Sequence, residues 1–147
     1  MFGVTKLKVV SLFKMAHNIL FTNVLKITMS KAIVNTSEHD IQVSCINWFR
    51  LVYPKYLIYA IPNGSQRNII VAKKLKAEGV TSGIPDLHIP IAKNGYHGLY
   101  VEMKAGKNKP TGNQLTIMDK LRNEGYKCVV CWSLEEFMQE VKDYFKK

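Results

Sequence analysis

The apolar positions change period several times along the chain. From 38 to about 51, Ile41, Cys45, Trp48 and Val52 recur at the spacing of one helix face. Ser37 stands at the capping position, and Pro54 ends the run. Residues 56–61 read as a strand, and Pro62-Asn63-Gly64-Ser65 is turn chemistry. A helical pattern returns over 67–78 and stops at Gly79. Beyond the loop 81–85, the pattern predicts a strand over 86–91, a turn at Lys93-Asn94-Gly95, and a returning strand over 99–105. Thr111 and Gln114 have capping-box spacing ahead of a helix with Leu115, Met118 and Leu121 inward, ended by Gly125. A buried-type strand over 127–132 follows. Ser133 and Glu136 then open a last helix with Leu134, Phe137, Met138 and Val141 inward. The order α-β-α-β-β-α-β-α predicts an α/β fold, a mixed central sheet flanked by helices, with no repeat or linker dividing it.

Composition adds a basic bias. The 147 residues carry a net charge of +10, which points to a polyanionic partner. The bias is uneven: residues 1–37 hold five lysines and no acid, leaving 16 bases against 11 acids beyond them. The stretch 1–36 therefore reads as a basic N-terminal extension, with Val9, Leu12, Phe13, Ala16, Leu20, Val24 and Ile27 at helical spacing. Lys14, His17, Asn18, Asn23 and Lys26 interrupt it, so no membrane span is expected. It lacks the cleavage pattern of a signal peptide and the arginines of a transit peptide, and Met29 offers an alternative start. Three cysteines, an odd number, argue against a secreted disulfide framework and for a reducing, cytoplasmic compartment. Cys128 and Cys131, three apart on a strand, point to opposite faces, so they read as buried thiols rather than a zinc pair.

Candidate chemistry gathers on the predicted hairpin. Alternation puts Tyr100, Glu102 and Lys104 on one face of their strand and Leu99, Val101, Met103 and Ala105 on the core face. This displays a carboxylate and an ammonium together on the side away from the core. A turn centred on Asn94 sets Asp86 opposite Glu102, with Cβ atoms about 4.5–5.5 Å apart. Opposed carboxylates are destabilising unless neutralised. A divalent cation does that, since Mg²⁺ takes one or two carboxylates and accepts phosphate oxygens. His88 shares the face of Asp86, whereas His39, His88 and His97 lack the spacing of a metal triad. Plainer readings stand beside these. A carboxylate at Glu38 suits any first helical turn, and Gln114 is explained by its capping box. The lysine groups 73, 74, 76 and 104, 107, 109 read as solvated faces unless a phosphodiester lies beside them.

Pro85-Asp86 followed by Glu102-Met103-Lys104 resembles the PD-(D/E)xK signature of metal-dependent nucleases. Further matches are Glu38 with Gln42 one turn later, and Lys76-Ala77-Glu78-Gly79-Val80 leading through Ser82-Gly83-Ile84 into Pro85-Asp86-Leu87. Lys109-Pro110-Thr111 ahead of Gln114, and Gly125-Tyr126 after its helix, complete the set. Together they resemble the virus-type replication-repair nuclease domain, VRR-NUC, over 37–147. The resemblance implies a restriction-endonuclease-like fold and Mg²⁺- or Mn²⁺-dependent hydrolysis of DNA phosphodiesters. It implies Asp86, Glu102 and the Met103 main-chain carbonyl as metal ligands, with Glu38 a further ligand or water-positioning group. Lys104 would be the catalytic lysine, and Gln114 would lie beside the metal. Asn63, Gly64, Ser65 and Arg67 would approach DNA, joined by the neighbouring lysines Lys107 and Lys109. Branched DNA such as a Holliday junction is the implied substrate, cut by a homodimer in the cytoplasm or nucleoid of a bacterial host if the chain is viral. A sequence-specific restriction-type endonuclease, or a non-catalytic nucleic-acid-binding protein with a relict site, are the alternative readings.

Overall fold

A computed structural model describes residues 37–62 and 69–146. The expected N-terminal helix within 1–36, and the loop residues Asn63, Gly64, Ser65 and Arg67, lie outside the described residues. The elements are α1 (Glu38–Val52), β1 (Tyr59–Ala60), α2 (Ile69–Ala77), β2 (Leu87–Ile89), β3 (Leu99–Met103), α3 (Gly112–Asn123), β4 (Lys127–Cys131) and α4 (Leu134–Phe145), in the expected order.

The strands form one sheet in the order β1-β2-β3-β4. The first two pairings are antiparallel, and β4 joins β3 in parallel after the α3 crossover. The register pairs Leu87 with Val101, His88 with Tyr100 and Ile89 with Leu99, as a turn centred on Asn94 requires. Asn94 (φ 51°) and Gly95 (φ 82°) both adopt the left-handed conformation that tight hairpin turns need.

Alternation then divides the sheet's faces. On one, Leu87, Val101 and Met103 pack with Phe49 of α1 and Phe137 and Val141 of α4, all fully buried. Across the other lies α3, with Met118 buried beneath it. α1 and α3 both begin with reciprocal capping boxes, Ser37 with Asp40 and Thr111 with Gln114. At α4 the Ser133 hydroxyl accepts the Glu136 amide, but the Glu136 carboxylate turns to the Trp132 amide, 2.7 Å away. Ser133 and Glu136 have capping-box spacing, but the box is half formed.

The strands are shorter than their apolar runs. β1 keeps two residues of the expected 56–61, because Tyr56 is held in a turn by its amide bond to the Tyr53 carbonyl and Pro62 has no amide to donate. Similarly β2 stops before Pro90. β3 ends at Met103, though the Lys104 amide still donates to the Cys131 carbonyl, 2.9 Å away. The last strand ends at Cys131 rather than 132.

Candidate active site

The predicted face of β3 is not an open display. Glu102 is 0% exposed and Lys104 7%. The N-terminal turn of α3 lies across them, so both are buried on the side away from the main core. Lys104 Nζ donates to Glu102 Oε1 at 2.6 Å, and Gln114 Nε2 donates to the same oxygen. Two donors thus converge on Oε1. The other oxygen, Glu102 Oε2, is buried with no hydrogen-bond partner.

Gln114 serves two readings at once. Its amide oxygen accepts the Thr111 amide at 2.8 Å, closing the capping box, while its amide nitrogen faces Glu102. Asp86 is half-buried at the head of β2, its Oδ2 accepting the Met103 amide at 2.9 Å. This bond holds the backbone of Met103 beside Asp86. Burial pushes the Glu102 carboxyl up to about 7, with the Asp86 and Glu38 charges adding to the rise and the Lys104 hydrogen bond opposing it. Glu38 therefore acts on Glu102 from the first turn of α1. Its Oε1 accepts Asn108 Nδ2 at 3.2 Å.

The donor set can be tested against a metal. Among the described residues no group of three or more His, Cys, Asp or Glu side chains could hold a metal ion. What the site offers is a pair of carboxyl groups, Asp86 and Glu102, with one buried oxygen, Glu102 Oε2, lacking a hydrogen-bond partner. Such an oxygen is costly to leave unsatisfied. Mg²⁺ takes one or two carboxylates and fills its shell with waters and phosphate oxygens, so this set fits it without a protein cage.

Around this pair the loop after β3 carries Lys107 and Lys109, both exposed. Asn108 between them anchors the loop: its carbonyl accepts the Trp132 indole N–H at 2.8 Å while its side chain reaches Glu38. Neither Asn108 nor Trp132 stood out in the sequence, since a lone Asn in a lysine-rich loop carries no spacing signal. A second group extends the site face across the sheet. The Tyr59 hydroxyl and His88 Nδ1 share a hydrogen bond at 2.6 Å, and the His88 ring stacks on Tyr100 with centroids 4.0 Å apart. Burial lowers the His88 pKa. A Cβ on Gly98 would lie 2.8 Å from His88 Nε2, so glycine there leaves room for the ring.

The cysteines carry no site. Cys128 and Cys131 are buried on opposite faces of β4, and burial raises their thiols to about 11 and about 12. Among the described residues no helix is long and apolar enough to cross a membrane.

The VRR-NUC domain family matches residues 30–134. A solved structure described as a VRR_NUC domain protein superposes with a TM-score of 0.64 at 28% identity, covering 77% of this chain and 91% of the other. A second, described as a VRR_NUC domain, gives 0.53 at 22% identity, covering 75% and 99%, and bears on the fold alone. No curated protein matches the chain. The fold is restriction-endonuclease-like, and the chain belongs to the VRR-NUC family of nuclease domains.

Proposed function

We propose that the chain is a divalent-metal-dependent endonuclease that hydrolyses DNA phosphodiester bonds, with branched DNA such as a Holliday junction as its substrate. The observation that carries this reading is the divided carboxylate of Glu102. Lys104 and Gln114 hold Oε1, and Oε2 is left buried and unpartnered in the electrostatic reach of Asp86.

In this reading Asp86, Glu102 and the Met103 carbonyl hold Mg²⁺ or Mn²⁺, with Glu38 completing the shell or positioning water. The bound cation supplies neutralisation of the phosphate charge and activation of a water. The remaining roles belong to the chain. Gln114 fixes the Glu102 carboxylate in one rotation. Lys104, tied to Glu102, presents an ammonium that offsets charge developing on the phosphoryl oxygens. Lys107 and Lys109 add sequence-independent phosphate contacts, joined by Asn63, Gly64, Ser65 and Arg67 from the loop after β1. No described element reads as a major-groove recognition helix, which favours backbone and shape readout. A homodimer sets two sites against the two strands of a symmetric junction.

Cleavage of a labelled four-way junction and of linear and flapped duplexes, with Mg²⁺ or Mn²⁺, tests this for wild type and Lys104→Ala. Preferential, paired nicking of the junction by wild type alone is expected. Sequence-specific cutting of linear duplex would support the restriction-type alternative. DNA binding with no cleavage in either metal would make the chain a binding protein.

A further inference from the structure

Tyr59 stands on the sheet face that carries the proposed site, and nothing in the family assignment gives it a role. Register places it there: Tyr59 pairs with His88, and the Ile61 amide donates to the Asp86 carbonyl at 2.8 Å. Asp86 is therefore one strand over and two residues along. A strand spacing of about 4.8 Å and a rise of about 3.4 Å per residue put the two Cα atoms about 8 Å apart.

Two features distinguish Tyr59 from a packing residue. First, the residue is 40% exposed, although its hydroxyl is held at 2.6 Å by a histidine only 7% exposed. Second, the anchor is rigid: His88 lies between Tyr59, which it meets edge-on (centroids 5.3 Å, interplanar 86°), and Tyr100, on which it stacks. The β3–β4 side of this face is covered by α3, whereas Tyr59 lies on the edge strand at the opposite side of the sheet. An aromatic side chain held at its hydroxyl and partly exposed loses little freedom when a planar group stacks on it.

We infer that Tyr59 is a stacking platform for an unpaired nucleobase of the substrate strand, close to the bond that is cut. This deepens the nuclease reading and rests on it for the position of the scissile bond. Bases inside a duplex already have both faces stacked, so the platform selects DNA with unpaired nucleotides, as at a flap, a frayed end or a branch point whose pairs have opened. Stacking of a base on an aromatic side chain is sequence-tolerant, in keeping with the absence of a recognition helix among the described residues.

The test is binding by the full chain in EDTA, where no metal-dependent cleavage occurs. The probes are a fluorescein-labelled hairpin with a single-stranded arm bearing 2-aminopurine, and a blunt duplex of equal length. Tyr59→Leu should weaken arm binding about tenfold and leave the blunt duplex within about twofold. Tyr59→Trp should bind the arm at least as tightly as wild type. Wild type and Tyr59→Trp should quench 2-aminopurine at one arm position. Equal arm affinity of Tyr59→Leu and wild type, or equal weakening on both DNAs, overturns the inference. So does the absence of quenching by wild type and Tyr59→Trp, a readout that stands even if Tyr59→Leu does not fold. Cleavage by wild type in Mg²⁺ is scored separately. Arm-selective binding without cleavage would sink the nuclease reading and keep the platform, and cleavage without arm selectivity would do the reverse.

Discussion

Lys104 Nζ lies 2.6 Å from Glu102 Oε1, and the two side chains are 9% and 0% exposed. An ion pair this deep is poor evidence of added stability, because desolvating both charges offsets most of their attraction. Removing one partner is another matter, since it strands the other charge. Lys104→Met should therefore destabilise the protein by about 3 kcal/mol in urea melts. It should also lower metal-dependent cleavage by at least about a hundredfold. Glu102→Gln with Lys104→Met, which keeps an acceptor for Gln114, should recover most of the stability and none of the activity. If the double variant is no more stable than Lys104→Met, the pair is not the source of the loss.

The unpartnered Glu102 Oε2 makes a prediction about metal that does not need DNA. A cation that binds the folded chain and not the unfolded one stabilises it in proportion to the logarithm of its concentration over Kd. Mn²⁺ or Mg²⁺ should raise the Tm of wild type by several degrees, and Asp86→Asn should abolish the rise. A Tm indifferent to both metals, or an undiminished rise in Asp86→Asn, would remove Asp86 and Glu102 as the ligand pair.

The hairpin register was legible because three residues of turn chemistry fix it, and Asp86, Glu102 and Lys104 then fell into place by counting. Burial of the site was not legible. Alternation shows which side chains share a face, but the covering of that face depends on where α3 crosses after β3, and no local pattern encodes that. Gln114 shows the same divide. Its capping spacing is a local signal, while its bond to Glu102 is a tertiary one made by the other end of the same amide. The strands are shorter than the apolar runs predict because an apolar run need be neither paired nor buried: within 56–61 only Ile58 is buried. Asn108, Tyr59 and Trp132 have ordinary sequence surroundings, and only the fold gives them partners.

Helix capping by Thr111 and the Gln114 contact with Glu102 can be separated by mutation. Thr111→Ala removes the hydroxyl that accepts the Gln114 amide at 3.3 Å and leaves the Gln114–Glu102 bond in place. It should cost about 1 kcal/mol of stability, the usual loss for an N-cap, with cleavage unchanged within about threefold. Gln114→Ala keeps the main-chain bond to the Thr111 hydroxyl and removes both side-chain contacts, to the Thr111 amide and to Glu102. It should lose cleavage about tenfold or more, as when one preorganised contact goes. Equal activities for the two variants would mean that Gln114 only caps its helix.

The three thiols give a check on the core that is independent of the site. Cys45 and Cys131 are fully buried and Cys128 nearly so, and burial raises all three, to about 12, about 12 and about 11. The thiolate is the reactive form, so each should be inert at pH 8 on two counts, access and ionisation. Ellman's reagent should label none of them in the native protein within minutes and all three at once in guanidinium chloride. Between these limits the slow labelling rate should follow the opening of the core, so Phe137→Ala, which cuts a large cavity there, should speed it. A Cys45 or Cys131 that reacts as fast as a free thiol in the native protein would show that the packing of α1 and α4 on the sheet is looser than described.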